Sequence, residues 1–314
     1  PAVAGRTGGA VEMRLTGTDF ADVTDRLELE FRPAIPAPAR GVTVQLFDPR
    51  GKSRPWLERL GAECIMLEDQ AEPDPALPLV IGREALSGVS RLPFSADDVK
   101  NGLRVLILEQ LPADWESLGF RSIETMPRYV FPRSFSEPLF DGMAAADFIN
   151  WRGTPDLLPE KKWARSYDFY RAPKWTNTHA VASVALETPG VIGFESLVSC
   201  EFDLAYSALL RMRYGKGAVW FSTFEFTTNA GSDPAATEFA VRLLKEVGKP
   251  LAAADDLRFV GLDDVQKEIA EKWYPGDSGR VPDSGFRGVT VAGSGADLAG
   301  LRKNAAAGET VLVL

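Results

Sequence analysis

Val42-Thr43-Val44-Gln45-Leu46-Phe47, followed at once by Asp48-Pro49-Arg50-Gly51, decides the fold class. The first run is short and almost wholly apolar, and the second is a turn signal. Arg54–Leu60 then suits a short helix ended by Gly61. Further apolar runs follow at Cys64–Leu67, Leu79–Ile81 and Leu103–Leu108. The segment between the last two ends in Asp97-Asp98-Val99-Lys100-Asn101-Gly102, which reads as a helix with its C-terminal glycine. Short strands that are apolar on both sides, alternating with helices, predict βαβ units and a mostly parallel sheet covered on both faces.

Upstream, Arg26–Arg32 alternates strictly, with Leu27, Leu29 and Phe31 on one side and charges on the other. This is the pattern of a half-buried antiparallel strand. Residues 33–39 carry three prolines, which favour an extended, semi-rigid linker. Residues 1–40 are therefore expected to be the end of an upstream β-domain with its linker.

Downstream, Val181–Leu186 and Ile192–Val198 read as strands. Leu209–Arg213 and Ala218–Phe224 flank Tyr214-Gly215-Lys216-Gly217 and predict a hairpin. Residues 234–247 give the clearest helix, with Pro234 in its first turn and Phe239, Leu243, Leu244 and Val247 on one face. From Leu251 a second α/β unit is expected. Its strands are Arg258–Val260, Gly288–Ala292 and Val311–Leu314, and its helices are Asp263–Trp273 and Ala296–Ala307. The chain opens on Pro1 and closes on Thr310-Val311-Leu312-Val313-Leu314, so this unit is expected to be truncated and the sequence to be a fragment.

Composition limits the chemistry. The chain has 314 residues, 44 acidic against 35 basic side chains and a net charge of −9. Nucleic acid is a poor partner for such a balance, because phosphate binding needs clustered positive charge. No apolar run reaches the roughly 20 residues of a membrane helix. Two cysteines, Cys64 and Cys200, make no disulfide framework, and one histidine, His179, excludes every multi-histidine metal motif. No metal and no cofactor are expected. Gly293-Ser294-Gly295 follows a strand, but Leu298 stands where a dinucleotide fingerprint needs glycine or alanine. Gly215-Lys216-Gly217 lacks the Ser/Thr and upstream glycine of a phosphate loop. Cys200 with His179 would be a nucleophile and base, yet Glu201 and Asp203 beside Cys200 disfavour a thiolate.

Two clusters remain. Glu195, Glu201, Asp203 and Glu225 lie near strand ends, where a pair could act as acid and base or simply cap the surface. Residues 150–178 hold Trp151, Arg152, Trp163, Tyr167, Phe169, Tyr170, Arg171 and Trp175. Flat rings there could stack on sugars with Arg152 as donor, or could pack on one another as the loop's own small core. The candidate ligand-binding residues are Trp151, Arg152, Trp163, Tyr170, Trp175, Glu201 and Asp203.

Three runs carry a resemblance: Phe148-Ile149-Asn150-Trp151-Arg152-Gly153, Cys200-Glu201-Phe202-Asp203-Leu204-Ala205-Tyr206-Ser207, and Tyr214-Gly215-Lys216-Gly217-Ala218-Val219-Trp220-Phe221. Over residues 41–250 the chain resembles a class I glutamine-amidotransferase-like domain of the kind embedded in bacterial family 2, β-galactosidase-type glycoside hydrolases. It is also similar to trehalose-utilisation-type (ThuA-like) proteins. The resemblance implies a flavodoxin-like sheet with helices on both faces, preceded in residues 1–40 by a β-sandwich remnant and followed in 251–314 by the start of a further α/β domain. Active amidotransferases use a cysteine in a Gly-x-Cys-x-Gly turn with His and Glu partners, and neither cysteine here has those flanking glycines. His179 is not in a His-x-Glu pattern. The resemblance thus implies a catalytically silent accessory or assembly domain of a carbohydrate-active enzyme. Its expected partners are other domains of the same polypeptide, carbohydrate and further copies of itself. Relatives of this type are often exported. The alternatives are a module that itself hydrolyses or modifies sugars, and a stand-alone carbohydrate-binding protein.

Overall fold

The computed structural model describes residues 6–32, 38–160, 177–190, 193–200, 204–250, 257–273, 289–306 and 310–313. The chain divides into two compact units, Pro1–Pro250 and Leu251–Leu314.

The first unit begins with an antiparallel ribbon of β1 (Thr7–Leu15) and β2 (Val23–Phe31), in register Val11↔Leu27. The alternation in β2 is real, but Leu27 stays 57% exposed and only Leu29 and Phe31 are half-buried. A two-stranded ribbon has no second layer to cover its apolar row. It is tied to the body by charge. Arg6 Nη1 lies 3.0 Å from Asp147 Oδ2, Arg32 also pairs with Asp147, and Arg32 Nη1 lies 3.1 Å from Glu238. Asp147 is itself buried and accepts the Ala144 N–H at 2.8 Å.

The body follows as β3 (Thr43–Phe47), α1 (Arg54–Arg59), β4 (Glu63–Met66), β5 (Leu79–Ile81), α2 (Ala96–Lys100), β6 (Arg104–Ile107), α3 (Pro112–Ser117), β7 (Ser122–Glu124) and β8 (Val130–Pro132). After two 3₁₀ turns come β9 (Val184–Glu187), β10 (Phe194–Cys200), β11 (Tyr206–Tyr214), β12 (Gly217–Ser222), α4 (Phe226–Asn229) and α5 (Pro234–Gly248). The main sheet runs β4-β3-β5-β6-β12-β11-β10-β8, with β9 paired to β11 and β7. The fold is mixed α/β. β4, β3, β5, β6 and β12 are parallel, as the apolar runs predict. The other half of the sheet is antiparallel. The reason is local: β10, β11 and β12 are joined by short connections, which allow only antiparallel pairing. In the β11–β12 hairpin Tyr214 pairs with Gly217, and Gly215 takes φ +59°, a backbone that favours glycine.

Every residue of β5, β6 and β12 is buried, so both sides of the sheet's centre are covered. One aromatic cluster joins Trp115, Phe120, Phe194 and Phe221. A second joins Phe140, Phe148, Trp151, Phe224 and Phe226 around Phe239 of α5. Helix α5 forms where its apolar stripe predicts, because Asp233 accepts the Ala235 and Ala236 N–H groups at 2.8 and 3.0 Å and Pro234 needs no N–H partner.

The second unit contains β13 (Leu257–Val260), α6 (Asp264–Trp273), β14 (Val289–Ala292), α7 (Leu298–Ala306) and β15 (Thr310–Val313). Its three strands are parallel in the order β13-β14-β15. The Gly293-Ser294-Gly295 turn is engaged internally, Gly295 N–H donating to the Gly261 carbonyl at 2.9 Å.

Among the described residues no helix is long and apolar enough to cross a membrane.

Candidate functional site: a buried carboxylate–arginine cluster at the strand ends

Four parallel strands deliver polar side chains at their C-terminal ends. Asp48 follows β3, Arg83 and Glu84 follow β5, Glu109 follows β6 and Glu225 follows β12. In open α/β sheets this edge is where ligands and reacting groups collect.

The first position is structural. Asp48 accepts the Ser53 and Arg54 N–H groups at 2.8 and 2.9 Å and so satisfies the start of α1. Ser53 Oγ in turn accepts the Arg83 N–H at 2.7 Å. Gly82 permits this approach, since a Cβ there would meet Asp48 Oδ1 at 2.7 Å. The chain then turns sharply: Glu84 takes φ +54°, its N–H donates to the Glu109 carbonyl at 2.8 Å, and its carboxylate receives Lys52 Nζ at 2.5 Å. A positive φ on glutamate is a strained state held by its surroundings.

Arg83 sits at the centre, 2% exposed. Its guanidinium reaches Glu225 Oε2 at 3.2 Å and Asp156 Oδ1 at 2.6 Å. Glu225 is wholly buried; it also accepts the Ser183 hydroxyl, and the Thr228 hydroxyl at 3.2 Å. Glu109, equally buried, accepts the Thr227 N–H and hydroxyl at 2.8 and 3.0 Å through Oε1, while Oε2 has no partner.

Two enclosed carboxyls around one arginine cannot both carry charge cheaply. Burial pushes Glu225 up to about 7, with Glu109 adding to the rise and Arg83, Ser183 and Thr228 opposing it. Burial likewise raises Glu109, against the pull of Arg83 and Thr227. Burial works against the Arg83 charge, but Glu225, Glu109, Asp156 and Glu84 outweigh it and hold the guanidinium protonated. Burial thus favours the protonated form of both glutamates, which are out of bulk water, while Asp156 meets Arg83 from the exposed side.

The residues selected from sequence fall elsewhere. Trp151 is wholly buried, stacked on Phe224 at 5.2 Å, and its Nε1 donates to the Asp147 carbonyl at 2.8 Å. It is a core residue and offers no ring face to a ligand. Arg152 is exposed, and its backbone N–H donates to Asp233 at 2.9 Å. Trp163, Tyr170, Trp175, Glu201 and Asp203 lie outside the described residues. Of the other carboxylates, Glu195 pairs with Arg211 at 2.7 Å, and only Glu225 joins the cluster. Arg83 and Glu109 were missed. The usable signal was position: each stands two residues after a wholly buried parallel strand.

Neither cysteine belongs here. Burial and Glu58 push the Cys64 thiol up to about 11, and Cys200 is buried at the end of β10. His179 is exposed with its Nδ1 3.3 Å from the Trp151 carbonyl oxygen. Among the described residues no group of three His, Cys, Asp or Glu side chains is arranged to hold a metal. No protein-family model matches the chain, and no curated protein matches it.

Proposed function

We propose that residues 41–250 are a catalytically silent amidotransferase-like module, an accessory or assembly part of a carbohydrate-active protein. The observation that carries this reading is the chemistry at the strand ends. An amidotransferase of the resembled class keeps its cysteine in a Gly-x-Cys turn after a strand. Here the turn after β5 reads Gly82-Arg83-Glu84, with Glu84 at the strained third position. Its His-x-Glu pair would follow another parallel strand. Here the residues after β12 read Thr223-Phe224-Glu225. On this reading the glutamate is kept, threonine replaces histidine, and glutamate replaces the thiol. The place of the reacting groups is filled by an arginine locked to Glu225.

The strand order β4-β3-β5-β6-β12 supports the flavodoxin-like part of the reading. It is the order 2-1-3-4-5, with its reversal between β3 and β5, where Asp48 and Arg83 lie. The raised pKa of Glu225 favours a second reading, an acid–base enzyme. Both carboxylates have no exposed surface, however, and a glycosidase pair must flank a substrate bond.

The test is made on the full 314-residue chain. Ammonia release from glutamine and hydrolysis of nitrophenyl glycosides are assayed beside light scattering. No turnover and a defined oligomer are expected. Turnover of either substrate that disappears in Glu225→Gln overturns the silent reading in favour of an enzyme. A strict monomer overturns the assembly role.

A further inference from the structure

A cavity of about 1370 Å³ opens between α1 and α5. Each helix contributes one face: Trp56, Arg59 and Leu60 are spaced three and four apart on α1, and Thr237, Glu238, Val241, Arg242 and Lys245 likewise on α5. Arg6 and Arg32 complete the wall from beside the ribbon. The lining carries five cationic side chains and one acidic one, on a chain whose net charge is −9.

Three of these cations are neutralised. Arg6 and Arg32 pair with Asp147 and Glu30, and Glu238 serves both Arg32 and Arg242. Arg59 and Lys245 are exposed and have no ion-pair partner among the described residues. Trp56 closes the floor of the groove and is 2% exposed, with its Nε1 out of solvent, so the charged donors left open to a ligand are Arg59 and Lys245.

Size and chemistry select the ligand. The volume exceeds the roughly 300–1,000 Å³ of a small-molecule pocket, which points to an extended ligand. Among the described residues no exposed aromatic ring lines the cavity, so this lining offers no platform for stacking bases. Its donors are guanidinium, ammonium and hydroxyl groups, which match carboxylates and sugar hydroxyls. We propose that this groove binds an acidic oligosaccharide, with its carboxylates on Arg59 and Lys245. The choice of saccharide rests on the carbohydrate reading above, while the anion preference rests on the lining alone.

The test is titration calorimetry of the full chain at low salt with tetragalacturonate, with maltotetraose and tripolyphosphate in parallel. Binding of tetragalacturonate that weakens about tenfold in the double variant Arg59→Ser/Lys245→Ser supports the proposal. Retention of binding in the charge-conserving Arg59→Lys/Lys245→Arg variant is expected as well. The proposal is overturned by no binding, by equal affinity in the double serine variant, or by equal affinity for maltotetraose. Tripolyphosphate bound in place of the saccharide also overturns it. Both positions are exposed and neither is paired with Arg83, Glu109 or Glu225 among the described residues, so a failure here leaves the silent-module reading standing. That reading fails only on turnover or on a monomer.

Discussion

Arg83 Nη1 lies 3.2 Å from Glu225 Oε2, and both side chains are out of solvent. The pair joins the turn after β5 to the residue after β12, with β6 between them. Removing one partner strands the other. Arg83→Leu is expected to lower the unfolding free energy by about 3–5 kcal/mol, because Glu225 and Glu109 lose the buried cation between them. Urea denaturation measures it. The double variant Arg83→Leu/Glu225→Leu should recover part of the loss, and a cycle with no coupling would show the pair to be incidental.

The pH dependence follows from the direction of the Glu225 shift. Its folded pKa of about 7 stands above the ordinary 4.5, so the folded state holds a proton that the unfolded state has released. The stabilisation is fully present below the unfolded pKa and is lost as pH rises toward 7. Stability should therefore fall between those values by on the order of 1 kcal/mol per pH unit and then level off. Glu109 is shifted in the same direction and adds to the slope. Glu225→Gln should flatten it, read as melting temperature against pH; an unchanged slope would remove Glu225 as its source.

Trp151 offers a direct contrast between a core and a ligand role. Its ring lies among Phe224, Phe226 and Phe239 at 5.2–6.5 Å. Trp151→Ala is expected to cost about 3–5 kcal/mol through the lost burial and the cavity left behind. Trp151→Phe should cost less. A thermal melt unchanged by the alanine variant would contradict this packing.

Asp233 caps the longest helix and also receives the Arg152 N–H. Asp233→Ala is expected to cost about 1–2 kcal/mol, and Asp233→Asn noticeably less. Chemical denaturation of the two variants separates the cap from a general effect of charge.

Much of the fold was legible in the sequence, for physical reasons that can be named. Strands β3, β5 and β6 are short and mostly apolar, and α5 carries one apolar stripe between Asp233 and Gly248. The two-residue turn of the β11–β12 hairpin follows from Gly215. β7, β8 and α3 were not legible. Each has three to six residues, too few for a period to show, and their places are set by tertiary pairing. The site was harder still. Arg83 and Glu109 look like ordinary surface charges until the parallel register brings β5, β6 and β12 side by side. Trp151 stood open to two readings, because aromatic content alone does not distinguish a ring that packs from one that binds.

The ribbon's attachment has a consequence for how this architecture can change. Arg6 and Arg32 leave the same end of the ribbon, where Thr7 pairs with Phe31, and converge on Asp147. A carboxylate held by its own backbone turn is a ready-made socket for two arginines, with Glu238 as a second hold on Arg32. The body beneath could in this way exchange its N-terminal neighbour over evolutionary time without repacking its core.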